Sequence, residues 1–155
     1  MRQHSMKRTA VALLLSLALA SVDLAEPAGG LGTPFTIPGT ASWKVGAQKT
    51  TGMTKTTDFW WDHVTSTERY LVPQNGASAA VMETSFDKVT AEQARAASLS
   101  QGRIPGAQLR PGRVVIFKTA AGRRGKFEVV GYTPLNGARG GDIAEYDLQV
   151  RWMFF

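Results

Sequence analysis

The chain has 155 residues, with 18 lysines and arginines against 12 aspartates and glutamates, and it contains no cysteine. The lack of cysteine excludes disulfide bonds, thiol catalysis and thiolate metal ligands. The length suits a single domain with a core of its own. Three of the cations lie in the first eight residues, and the 15 that remain against 12 acids do not predict a nucleic-acid partner.

The N-terminus has the pattern of a secretory signal peptide. Three cations precede an apolar run of 11 residues, 10–20, which is shorter than the roughly 20 residues needed to span a bilayer. The small residues at Ala18-Leu19-Ala20 predict cleavage before Ser21. We therefore predict that residues 1–20 are removed. We also predict a bacterial protein that is exported, to the periplasm or outside the cell, with no transmembrane segment after processing. An uncleaved anchor is the alternative.

Residues 21–40 are rich in glycine and proline and predict an extended or mobile leader. The alternative is that Phe35 and Ile37 attach this leader to the surface of the domain. Residues 41–155 are predicted to form a single β-rich domain. Its first strands are expected at 41–45, 58–64, 68–73 and 77–82. Because Gln74-Asn75-Gly76 is a strong turn signal, residues 77–82 are expected to return beside 68–73.

One helix is predicted, over residues 90–100. Thr90 can cap it, Gln93 completes a capping box, and Gly102 is expected to end it. Its apolar face is mostly alanine, so we expect it to cover a sheet edge or plug the end of a barrel.

The second half of the chain predicts a hairpin and a closing strand. Residues 114–117 are apolar on both faces, which indicates a central strand covered on both sides. In the returning strand, Phe127 and Val129 face one way, with Glu128, Val130 and Tyr132 on the other side. The last segment alternates, and it is expected to bury Tyr146, Leu148, Val150, Trp152 and Phe154. The predicted fold is therefore mainly β, an antiparallel β-sandwich or small barrel with one short helix.

The residues offer little catalytic chemistry. After the predicted signal peptide, His63 is the only histidine, and Asp62 should point away from it because neighbours on a strand alternate. No nucleophile elbow, zinc-protease helix or phosphate-binding glycine loop appears. We predict a protein that is not an enzyme. A hydrolase that uses Asp58, Asp62, His63 or Glu68 is an alternative that requires these groups to converge.

Two features suggest binding. Trp60 and Trp61 should face opposite sides of a strand, so one of them can stack on a sugar ring, a peptide or a porphyrin. His63, close by in the sequence, is a candidate haem or metal ligand. The alternative places one tryptophan in the core and the other at a sheet edge.

The second feature lies downstream, where no acid occurs between Glu92 and Glu128. This acid-free interval holds eight cations, Arg95, Arg103, Arg110, Arg113, Lys118, Arg123, Arg124 and Lys126.

Arg123, Arg124 and Lys126 lie at the predicted hairpin tip and are candidate contacts for an anionic partner. Such partners include lipopolysaccharide, phospholipid head groups, polyanionic glycans and haem propionates. The alternative is that these cations keep an exposed tip soluble and protect an edge strand from pairing with other chains.

The order of the motifs DFWWD, RYLVPQNGA, FDKVT and VVIFKTAAGRRGKFEVVGY, followed by an aromatic closing strand, resembles that of HmuY-like exported haem-binding domains of bacteria. Lys118, Thr119, Gly122 and Lys126 match the hairpin pattern K-T-x-x-G-x-x-x-K of that family. The resemblance spans Asp58 to Phe155. It implies a mainly β fold and haem as a cofactor, which some members hold by pairs of histidine or methionine.

These observations together predict an exported, non-catalytic protein that binds a ligand or partner, with haem or another anionic aromatic compound as the specific hypothesis. The alternatives are an envelope-associated interaction module whose basic face contacts anionic polymers, and the hydrolase.

Overall fold

The computed structural model describes residues 34–47, 50–135 and 143–155. In these ranges a short helix α1, Ala91–Ala96, and two 3-10 turns, Phe86–Lys88 and Gly106–Gln108, accompany the strands. The strands are β1 Phe35–Ile37, β2 Ser42–Trp43, β3 Thr50–Thr51, β4 Phe59–His63, β5 Arg69–Pro73, β6 Ser78–Met82, β7 Ile104–Pro105, β8 Val114–Lys118, β9 Arg124–Leu135 and β10 Ile143–Phe154.

The strands form two antiparallel sheets that pack face to face. The first sheet has the order β1-β10-β9-β8-β6 and the second has the order β3-β2-β4-β5-β7. The prediction of a mainly β fold is confirmed. Within the described residues the sheets do not close into a barrel, so the architecture is the sandwich.

Aromatic side chains from both sheets fill the space between them. Trp43 and Phe59 of the second sheet meet Phe117 and Phe127 of the first, with ring centroids 5.9 Å apart for Phe59–Phe117 and 6.0 Å for Trp43–Phe127. The closing strand confirms its predicted alternation from Leu148 onward, because Leu148, Val150, Trp152 and Phe154 are all buried in this core. Tyr146, predicted to be buried with them, is only half-buried. Burial of large apolar side chains stabilises the fold by ~1.5–3 kcal/mol each.

The prediction that residues 114–117 form a central strand covered on both sides is also confirmed. β8 lies between β9 and β6. Val115 and Phe117 belong to the core between the sheets. Val114 and Ile116 pack on the outer face, beneath a second apolar cluster that includes Phe86. The first sheet is therefore buried on both faces along this strand.

The helix is shorter than predicted, and it packs on a different part of the sandwich from the one expected. The capping box is present, since the Thr90 hydroxyl accepts from the Gln93 backbone N–H at 3.2 Å and the Gln93 amide accepts from the Thr90 N–H at 2.9 Å. However, α1 ends at Ala96, not near Gly102, because the chain extends so that Ser100 can bridge to Ala79. α1 covers the outer face of the first sheet, so the expectation of an edge cover or barrel plug is wrong.

The expected hairpin between residues 68–73 and 77–82 is absent. The turn itself is as predicted, with positive φ at Asn75 (53°) and Gly76 (87°). The Asn75 side chain donates to the carbonyls of Thr54 and Thr57, which fixes the turn against the preceding loop. The chain then crosses to the other sheet, where β6 pairs with β8, and β5 pairs with β4 and β7 instead.

A bulge reverses the predicted direction of Tyr132. Val129 pairs with Val150 and Gly131 pairs with Gln149, so Val130 has no partner in β10. An extra residue shifts the alternation by one position. Tyr132 consequently packs against the core between the sheets, on the side of Phe127 and not on that of Glu128.

The β domain begins earlier than residue 41. Strand β1 lies inside the range predicted as a leader, and its Ile37 is fully buried and pairs with Leu148. Ile37 is thus part of the core and not a surface attachment. The predicted signal peptide and the first part of the leader, residues 1–33, lie outside the described residues, as do residues 136–141 of a loop that the glycines of 133–141 predict. Residues 133–135 of that range belong to strand β9 instead. No helix among the described residues is long and apolar enough to cross a membrane.

Candidate functional site

The two neighbouring tryptophans of β4 face opposite sides of the second sheet, as predicted. Trp61 is fully buried in the core, and its indole N–H donates to the Tyr146 carbonyl at 2.8 Å. Trp60 lies half-buried on the outer face of the sheet, paired with Val72 in register. The structure thus gives Trp61 a core position, whereas Trp60 keeps contact with solvent.

His63 faces the same side as Trp61, at the end of β4. Its Nε2 lies 2.8 Å from the Tyr146 carbonyl oxygen. Since a carbonyl only accepts, Nε2 carries the hydrogen. The ring also contacts the rings of Trp61 and Tyr146, at centroid distances of 5.4 and 4.9 Å. Burial lowers the pKa of His63 below its ordinary value. Within the described ranges, no group of three histidine, aspartate or glutamate side chains could hold a metal ion.

The cations of the hairpin tip separate onto different faces. Arg124 donates to the Ala94 carbonyl of α1 at 2.6 Å. Lys126 is 4 % exposed, and its ammonium donates to the carbonyls of Phe86 and Val89 at 2.5 and 2.8 Å. Burial lowers the pKa of Lys126. These two predicted binding residues therefore attach the outer layer to the first sheet.

Other members of the acid-free interval are also dispersed. Arg113 pairs with Glu83 at 3.0 Å. The guanidinium carbon of Arg103 lies 4.0 Å from the centre of the Tyr70 ring, on the second sheet. The interval that looks continuous in the sequence is divided among several surfaces of the fold.

The acids proposed for a hydrolase do not meet. Asp58 precedes β4 and His63 ends it, so the strand separates them. Asp62 pairs in register with Tyr70 on the outer face. Glu68 accepts a hydrogen bond from the Tyr70 hydroxyl at 2.5 Å.

Unlike Arg124 and Lys126, Arg123 lies in a cleft, at the end of the sandwich that carries the β8–β9 turn. We call it the end cleft; its volume is about 430 Å³. Trp60, Trp61 and His63 take no part in its wall. Its lining includes the side chains of Lys44, Val45, Lys55, Asp58, Arg123 and Phe154.

Asp58 holds the two walls of the end cleft together. It is 3 % exposed. One carboxylate oxygen accepts from the Val45 N–H, in the loop after β2, and the other accepts from the Ala120 N–H, in the β8–β9 turn, each at 2.8 Å. The turn itself closes through Gly122, whose φ of 87° suits glycine. Because these bonds join loops from both sheets, the end cleft is preformed.

The end cleft is basic and has an aromatic side. Three cations, Lys44, Lys55 and Arg123, line it with a single carboxylate, that of Asp58. The guanidinium carbon of Arg123 lies 3.6 Å from the centre of the Phe154 ring, which orients it by a cation–π contact. An anionic group with an apolar part matches this surface. Sequence reasoning missed Lys44 and Lys55, because neither belongs to a charge run or a motif.

Comparison of the chain with protein-family models, curated proteins and solved structures finds no match. The resemblance to HmuY-like domains therefore stays a prediction.

Proposed function

We propose that the protein is a non-catalytic binding protein that holds a small organic anion in the end cleft. One observation carries this proposal: Lys44, Lys55 and Arg123 surround a preformed cleft beside the Phe154 ring. The volume of about 430 Å³ lies in the range of roughly 300–1,000 Å³ typical of small-molecule sites. Export to the periplasm or beyond remains part of the proposal, on the pattern of residues 1–20.

Binding without catalysis suits the groups present. None of the described residues that line the end cleft is a histidine. Its carboxylate, Asp58, accepts a backbone N–H on each oxygen, so it serves to fix the loops.

The ligand class follows from the surroundings of Arg123. A guanidinium presents several N–H donors in a plane and binds carboxylate or phosphate groups well. Val45 and Phe154 add apolar surface for the body of the ligand. Haem belongs to this class through its propionates, but no histidine or methionine among the described residues lines the end cleft. Haem bound there would be held by its carboxylates and ring, with no axial ligand from these residues.

A titration with three aromatic anions tests the proposal. Haemin, metal-free protoporphyrin and anilinonaphthalene sulfonate are added to micromolar protein, and Soret absorbance or probe fluorescence is followed. We expect saturable binding of at least one of them, and similar affinities for the two porphyrins.

The variants Arg123→Gln and Lys55→Gln should weaken binding by about tenfold, in line with the loss of one charge-assisted hydrogen bond. Arg124→Gln is the matched control, since Arg124 lies on the other face and should leave affinity unchanged. Absence of saturable binding of all three compounds, or equal affinity in all variants, would reject the end cleft as a site. Salt-sensitive binding to anionic envelope polymers alone would favour the interaction module.

A further inference from the structure

The opposite end of the sandwich is closed by a shared hydrogen-bond acceptor. The Tyr146 carbonyl, near the start of β10, accepts from the Trp61 indole and from His63 Nε2, each at 2.8 Å. Both donors come from β4 of the second sheet, and β10 belongs to the first. We call Trp61, His63 and Tyr146 the clasp, because they join the two sheets at this end.

Both forms of His63 can donate Nε2–H to the Tyr146 carbonyl, and this bond favours protonation. Only the neutral form suits the surroundings of the other ring nitrogen, Nδ1. Nδ1 is buried and has no hydrogen-bond partner among the described residues. Protonation would place a second N–H at this atom, in a position with no acceptor. A buried donor without a partner is unfavourable, because it loses its hydrogen bonds to water. The rings of Trp61 and Tyr146 on either side leave the imidazole packed in place.

Charged groups on three strands surround the imidazole. Arg69 on β5 disfavours its protonation, whereas Asp62 on β4 and Asp147 on β10 favour it. Arg69 is paired with Glu145 of β10, and Asp147 accepts a hydrogen bond from the Gly39 N–H.

Tyr132 of β9, which also lies near His63, adds no charge that would favour or disfavour protonation of the imidazole. Tyr132 contacts the Trp61 ring, and burial raises the pKa of its hydroxyl to about 12, so it stays uncharged at neutral pH. Burial of His63 is the largest of the effects on its own pKa, and the pKa is lowered.

The segment that the clasp holds is the least regular part of β10. The pairing of β10 with β9 shifts register between Ile143 and Asp147. From Leu148 onward, β10 alternates into the core, and Leu148 and Val150 also pair with β1. Outside the clasp, the Arg69–Glu145 pair and the hydrogen bond from Gly39 to Asp147 also hold this segment. Loss of the clasp therefore loosens residues 143–147 at little cost to the rest of the strand.

We propose that the clasp is a proton-operated switch. Neutral His63 helps to hold the start of β10 on the second sheet, and protonation of His63 loosens residues 143–147 while the remainder of the sandwich stays folded. This device is independent of the end cleft. The chain has two histidines, His4 and His63, and histidine is the side chain whose ordinary pKa lies between pH 5 and 8.

Two measurements on the whole protein test the switch. An NMR titration of the imidazole should give a pKa below 6.5 and, at pH 7.5, the tautomer with hydrogen on Nε2. Hydrogen exchange at pH 7.5 and below the measured pKa, corrected for intrinsic rates, should show at least a tenfold loss of protection at 143–147. Protection at 148–154 should be retained.

The matched variant is His63→Gln, whose amide can donate to the same carbonyl but gains no proton. In this variant the exchange of 143–147 should not depend on pH. The proposal is overturned by an imidazole that titrates at 6.5 or above, by equal protection at the two pH values, or by an unchanged pH effect in the variant. If the variant does not fold, the two wild-type measurements decide alone.

Discussion

At the end cleft one side chain, Asp58, accepts hydrogen bonds from backbone N–H groups of both sheets, whereas at the clasp one backbone carbonyl accepts from two side chains of a single strand. Both devices join the sheets, and β4 runs between them. No histidine is among the described residues that line the end cleft. A histidine donor responds to protons. The end cleft is therefore expected to keep its shape where the clasp changes.

The largest expected effect on stability comes from a substitution of Asp58, the side chain that joins the walls of the end cleft. The variant Asp58→Ala leaves two N–H groups, those of Val45 and Ala120, without their acceptor. Because each such loss costs about 1–3 kcal/mol, we expect the free energy of unfolding to fall by about 3 kcal/mol in urea denaturation. The control Asp62→Ala, on the outer face of β4, should change it by less than about 0.5 kcal/mol. Similar values for the two variants would show that Asp58 does not hold the end cleft together.

A smaller loss is expected at the clasp. The variant Trp61→Phe removes the indole donor to Tyr146 and part of a fully buried side chain, so we expect a loss of about 2 kcal/mol. Trp60→Phe, the neighbouring change on the outer face, should cost less than about 1 kcal/mol. Thermal unfolding of both variants measures the difference, and equal costs would contradict the core position of Trp61.

The hairpin tip gives a third contrast, of about 1 kcal/mol. Arg124→Gln removes the hydrogen bond to the Ala94 carbonyl and should lower stability by this amount. Lys118→Gln removes another cation of the same tip and should change stability by less than about 0.5 kcal/mol. Chemical denaturation distinguishes them. If both substitutions are neutral, Arg124 does not attach α1 to the sheet.

The smallest effect is the pH dependence that His63 imposes. The unfolded chain takes up a proton on this histidine near pH 6.5, whereas burial lowers the pKa in the folded protein. Between the two pKa values the unfolded state binds more protons, so stability falls as the pH is lowered through 6.5 and levels off below the folded pKa. Denaturation midpoints at several pH values should show this fall in the wild type and not in His63→Gln. A fall of equal size in both would assign it to other groups.

The sequence predicts most of the fold where a pattern has one physical meaning. The apolar run at 114–117, bounded by turn signals and rich in β-branched residues, indicates a strand covered on both sides. The alternation of β10 identifies its buried residues from Leu148 onward. The partner of β6 could not be predicted, because turn chemistry at Asn75-Gly76 fixes a reversal of the chain but not the sheet that the chain enters next. The bulge at Val130 likewise leaves no trace in composition.

The candidate sites were harder to predict, because a charge pattern does not say where a side chain ends. Lys126 sits in an acid-free stretch that suggests a solvated tip, yet its ammonium is satisfied by two carbonyls inside the fold. Lys44 and Lys55 come near Arg123 only because Asp58 joins loops from different sheets. His63 was recognised as unusual, but its partner, the Tyr146 carbonyl, carries no sequence signal at all.

The burial of Lys126 gives the protein a reporter for chemical labelling. Amine-reactive reagents acylate lysines that reach solvent, such as Lys44 and Lys55, but an ammonium held against two carbonyls inside the outer layer is shielded. The fraction of Lys126 that becomes acylated, measured by peptide mass spectrometry, would therefore report how often the layer over the first sheet opens. The measurement is made under conditions in which the protein as a whole remains native.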